Sequence, residues 1–115
     1  MDTSASASAA RDAARQSLDS TAAFAAIRQT LATIVALQPE DSSTVASTVG
    51  PMLILRHADG DSETYSYQHV AADALRVVYR HLDNLTGQVK DHTTPLQTNE
   101  AVTHYLRALV VEVLR

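Results

Sequence analysis

Cysteine and tryptophan are absent from this chain, glycine and proline number three each, and aromatic side chains make up 4%. Without cysteine there is no disulfide scaffold, no thiolate metal site and no thiol redox chemistry. So little glycine and proline excludes a collagen-like repeat, and the ample valine, leucine and isoleucine exclude a wholly disordered chain. Positive charge is scarce too. Nine Lys and Arg stand against 13 Asp and Glu, a formal net charge of -4, and the single lysine is Lys90. Nucleic-acid-binding modules carry a basic excess, so no nucleic-acid partner is expected. Long apolar runs are missing as well. A compact run such as Pro51-Met52-Leu53-Ile54-Leu55 falls far short of the about 20 residues that cross a bilayer. A cytoplasmic protein with no membrane partner and no cofactor is expected.

What is present is 115 residues with 45% apolar content, which suits one core and is too little for two. Residues 1–17 are rich in Ala and Ser and carry no large apolar side chain before Leu18, so they read as a flexible tail. Residues 18–115 read as one helical domain. From about Ala10 to Leu37 the chain is helix-prone, with Phe24, Ile27, Leu31, Ile34 and Val35 at three- and four-residue steps. Asp19 or Ser20 suits the N-cap of its better-packed half, and Pro39 stops it. Further on, Leu75, Val78, Leu82, Leu85 and Val89 repeat 3-4-3-4, with Arg76, Arg80 and Asp83 opposite. That pattern predicts an amphipathic helix over Tyr67–Asn84. Thr98 caps a last helix whose apolar stripe is Val102, Tyr105, Leu106, Leu109, Val110 and Val113.

The stretch Pro39–Tyr67 reads two ways. As helix, Pro39-Glu40-Asp41 starts a turn and Gly50-Pro51 kinks it. As strand, Thr44–Val49 is β-branched, Met52–His57 is a second run, Glu63–Tyr67 alternates, and Asp59-Gly60 is a hairpin turn. Low glycine and low aromatic content favour helix. The expected fold is therefore an all-α antiparallel bundle of three to four helices. The alternative is an α+β domain with a hairpin or meander within 44–67. Histidines recur every eleven or twelve residues, at 57, 69, 81, 92 and 104, but their neighbours share nothing, so no repeat is read from them.

Few strings suggest chemistry. Leu53-Ile54-Leu55-Arg56-His57-Ala58 resembles the strand-plus-Arg-His tip of the histidine phosphatase superfamily. The resemblance implies a phosphate site in which His57 accepts the phosphoryl group and Arg56 grips its oxygens. It covers these six residues only, and the remaining chain is too short for the large α/β domain of that family. Around His81, His81-Leu82-Asp83-Asn84-Leu85 is similar in setting to a histidine phosphotransfer domain but lacks its Lys and Gly. Asp59-Gly60-Asp61-Ser62-Glu63 alternates acids, yet the twelfth position of a calcium loop from Asp59 is Val70, so a solvated turn is expected. No two histidines are close enough to chelate a metal from one helix.

The last helix is the most suggestive element. Its stripe is broad, and Val111 and Leu114 fall outside it, which gives an outer side able to meet another chain. The candidate interface is Tyr105, Leu106, Leu109, Val110, Val111 and Leu114, and no catalytic or metal residues are assigned. The expected function is a small non-catalytic interaction module (adaptor, regulator or accessory protein) using apolar helix faces, with a protein partner or a second copy as homodimer. Alternatives are a phosphotransfer or phosphatase-like protein using His57 or His81, and an α+β dimer built like an export chaperone.

Overall fold

The structure is a computed structural model that describes residues 18–115; the expected tail over 1–17 lies outside the described residues. Helix α1 (Ser20–Leu37) is followed by strands β1 (Thr44–Val49), β2 (Met52–His57), β3 (Ser62–Ala71), β4 (Ala74–Leu82) and β5 (Val89–Leu96), and by helix α2 (Asn99–Leu114). The strands form one antiparallel sheet in the order β1-β2-β3-β4-β5. This α+β architecture corrects the expected all-α bundle. The strand reading of Thr44–Val49, Met52–His57 and Glu63–Tyr67 describes β1, β2 and the first part of β3, and the meander continues through Leu96.

Both helices begin where their caps predict. The Asp19 carboxylate accepts from the Ala22 N–H at 3.2 Å, and the Thr98 hydroxyl accepts from the Ala101 N–H at 3.0 Å, each satisfying a donor that the first turn leaves free. α1 ends at Gln38, whose extended backbone (ψ 129°) is what a following proline imposes. Its buried side is Ala23, Ile27, Leu31 and Ile34, while α2 buries Val102, Leu106 and Leu109. By length and composition α1, with a mean hydropathy of 1.3, is long and apolar enough to cross a membrane; here its apolar stripe closes the core. The two helix starts are joined by the Asp19 N–H, which donates to Asn99 Oδ1 at 3.0 Å.

The sheet follows the two-residue period of strands. Leu53 and Leu55, Tyr65 and Tyr67, Leu75 and Val77, and Leu96 face the helices and are buried. Complete burial of each large side chain contributes about 1.5–3 kcal/mol. Val45, Val49, Leu82 and Val89 lie on the other, helix-free face and are exposed. Gly50, at φ +55°, opens the Gly50-Pro51 turn between Val49 and Met52, a first-position glycine that suits a two-residue hairpin. Gly60 has φ +93°, and a Cβ there would collide with the Asn84 side chain. The β2–β3 turn is thereby held against the β4–β5 turn, where the Asn84 N–H donates to Asp61 Oδ1 at 2.9 Å.

The helix expected over Tyr67–Asn84 is instead the end of β3, a turn at Ala72-Asp73, and β4. Its 3-4-3-4 stripe is an accident of spacing. Leu75 is buried on the helix side, Val78 and Leu82 lie on the opposite face, and Leu85 is 91% exposed in the β4–β5 connection. The true signal is the alternation of Leu75, Val77 and Tyr79 across β4 against Tyr65 and Tyr67 on β3.

Candidate functional site

The helix-facing side of the sheet is apolar over most of its area and polar at one end. There the antiparallel registers put Thr44 opposite His57, Glu63 opposite His81, and Tyr79 opposite His92. Three of the four strand histidines, 57, 81 and 92, therefore share this end, and His69 lies at the other, beside Phe24 with ring centroids 4.7 Å apart. The near-regular histidine spacing has no counterpart in the meander, whose strands begin at Thr44, Met52, Ser62, Ala74 and Val89, and His104 lies on α2.

A chain of hydrogen bonds crosses this end. The His57 ring bonds the Thr44 hydroxyl through Nδ1 at 2.8 Å and Glu63 Oε2 through Nε2 at 2.7 Å. A carboxylate only accepts, so Nε2 carries a proton, and in the neutral ring Nδ1 accepts from Thr44. The Tyr79 hydroxyl donates to the other oxygen of Glu63. Burial works to raise the Glu63 carboxyl, but the bonds from Tyr79 and His57 outweigh it and hold its pKa below the ordinary value. Beside it, Asp61 is held low first by the Asn84 N–H and then by His81, whose Nε2 lies 3.4 Å from Asp61 Oδ2. The phenol of Tyr79 is pushed up by burial, by its bond to Glu63 and by the negative charges of Glu63 and Glu112.

Two open cavities lie between this end of the sheet and α2. One, of about 260 Å³, is lined by Thr44, Leu55, His57, Glu63, Tyr65, Glu112 and Val113. The other, of about 240 Å³, is lined by Tyr65, Tyr105, Ala108, Leu109 and Glu112. Tyr65 and Glu112 line both, so the two adjoin as halves of a groove beside α2. A hydroxyl, an imidazole and a carboxylate in line is an order that can activate a nucleophile. Yet two carboxylates facing the same space oppose an oxyanion or a phosphate and favour a cation. Among the described residues no three His, Asp or Glu side chains gather as a metal site.

Arg56 and His57 are adjacent in sequence but project from opposite faces of β2, Arg56 exposed and His57 half-buried. They do not converge on one phosphate. His81 faces Asp61 rather than open solvent alone. The acidic string Asp59–Glu63 is a turn strapped to Asn84. Arg76 and Arg80 make cross-strand contacts instead of lining a helix: Arg80 pairs with Asp91 at 2.8 and 3.1 Å, and Arg76 donates to the neutral Gln68 at 2.9 Å. Of the α2 interface candidates, Leu106 and Leu109 are in the protein's own core, Tyr105, Val110 and Leu114 pack partly against it, and Val111 is 61% exposed.

The sequence reasoning assigned no role to Thr44, Tyr79 and Glu112, and met Glu63 only in the acidic string that it read as a solvated turn. The strings around Arg56-His57 and His81 pointed to two residues of this end of the sheet, though for a phosphate chemistry that the geometry does not assemble. No protein family, curated protein or solved structure matches the chain.

Proposed function

We propose that the chain is a non-catalytic protein-interaction module that receives an extended segment of a partner protein along the free edge of β1. The observation that carries this reading is the character of that edge. Thr44-Val45-Ala46-Ser47-Thr48-Val49 is uncharged, contains no proline and is rich in β-branched residues, and among the described residues only β2 pairs with it. Such an edge presents a row of unpaired backbone donors and acceptors, the template for strand addition. Monomeric proteins usually block it with charge, proline or a bulge.

Amide exchange of the full-length protein tests this directly. The amides of Thr44–Val49 should gain protection on titration with a short synthetic peptide of alternating threonine and valine, and Val45→Lys should abolish the gain. Exchange in β1 that the peptide leaves unchanged would overturn strand addition.

A second reading, an α+β dimer built like an export chaperone, is favoured by the hairpin that Met52–His57 makes with Ser62–Ala71. It predicts a dimeric mass in light scattering. The mass should fall with Val45→Lys if two copies join through β1, or with Val111→Glu and Leu114→Glu together if they join along α2.

A further inference from the structure

The groove beside β1 constrains what such a strand carries. Thr44 stands at one end of β1, faces the helix side and lines the larger cavity. A strand added to β1 lies about 4.8 Å beyond it, and the residue opposite Thr44 projects its side chain to the same face, at the cavity mouth. The cavity holds two carboxylates in different states. Glu63 is engaged by Tyr79 and His57. Glu112, exposed on the last turn of α2, has no hydrogen-bond or ion-pair partner among the described residues. Both act on Tyr65, whose phenol is pushed up first by burial and then by the charges of Glu63, Tyr105 and Glu112. Tyr65 adds an aromatic wall shared by the two halves of the groove. Carboxylates beside an aromatic ring suit an alkylammonium or guanidinium group, through charge and through the ring face.

We propose that the strand received by β1 presents a lysine or arginine opposite Thr44, whose side chain enters this groove to pair with Glu112. The inference rests on the strand-addition reading and adds the chemistry of the partner, a basic extended peptide. A second copy of this chain does not meet the requirement. Its own β1 contains no cation, so self-pairing would set a neutral side chain opposite Thr44 and leave Glu112 unpaired.

The experiment compares two peptides against the full-length protein, each of alternating threonine and valine, one with a central lysine and the other with norleucine at that place. Binding is followed by calorimetry, and the amides of Thr44–Val49 by exchange. The lysine peptide should bind about tenfold more tightly, an advantage that shrinks as salt rises. In E112Q, an exposed substitution whose fold is checked by circular dichroism, the two peptides should bind alike. Equal binding of both peptides to the unmodified protein, with β1 protected, would overturn the cation pairing and leave strand addition standing. A lysine advantage that survives E112Q would overturn the assignment to Glu112. Protection of β1 by neither peptide would remove strand addition itself.

Discussion

The two edge strands of the sheet are built differently. β5 carries Lys90, Asp91 and His92, includes Pro95, and ties Asp91 to Arg80 of its neighbour β4. Charges and a residue without an N–H discourage a further strand from pairing there. β1 has neither device, and its outward valines, Val45 and Val49, are 65% and 61% exposed. Two edges of one sheet thus differ in side-chain chemistry, and in the helix that packs near each, α1 by β1 and α2 by β5. One edge carries charge and proline; the other carries neither and lies beside a groove whose Glu112 has no partner among the described residues.

The largest perturbation should ignore this difference. Leu53 is fully buried, and Leu53→Ala should cost about 2–5 kcal/mol in urea unfolding, loosening both edges together. Replacing Lys90 and Asp91 by Thr and Pro95 by Val should remove the protection of β5 and raise the mass seen in light scattering; an unchanged mass would mean that those residues are not what keeps this edge single. Val45→Lys should transfer the protection to β1. Peptide binding should fall at least about tenfold, while stability stays within about 0.5 kcal/mol.

A smaller effect concerns the bonds that brace β1 from below. Tyr79→Phe removes a donor to Glu63 and should cost about 1 kcal/mol. Because the folded pKa of Glu63 is lowered, its contribution is present above the ordinary carboxylate range and is lost as pH falls through the lowered value. The acid limb of a stability–pH curve should therefore flatten in Tyr79→Phe. The smallest effect is expected from Asp91→Asn, since the Arg80–Asp91 pair is exposed and screened; a slight loss of stability with no change in peptide binding would keep the two edges distinct.

The helix boundaries were legible because capping is local: Asp19 and Thr98 announce themselves within three residues of the N–H groups they serve. The sheet was legible only in part. Glycine scarcity argued for helices, yet Gly50, Gly60 and Gly87 all take positive φ in hairpin connections, so three glycines suffice for three turns. Leu75, Val78 and Leu82 fit a helical step as well as they fit strand positions, and only pairing with β3 and β5 decides between them. The site was hidden for a related reason. Thr44, His57, Glu63 and Tyr79 come from four strands, and Glu112 from a helix, so no short string contains their arrangement. Arg56-His57 looked like a unit in the sequence, but adjacent strand residues point to opposite faces.

The bond between Asp19 and Asn99 spans 80 residues of chain, whereas every strand pairs with its immediate successor. During synthesis the meander can zip hairpin by hairpin as it leaves the ribosome, but α2 emerges after the whole sheet and supplies Val102, Leu106 and Leu109 to the core. Until it docks, part of the greasy side of the sheet stays wet, and the nascent chain is most prone to stick to its neighbours in the seconds before α2 is released.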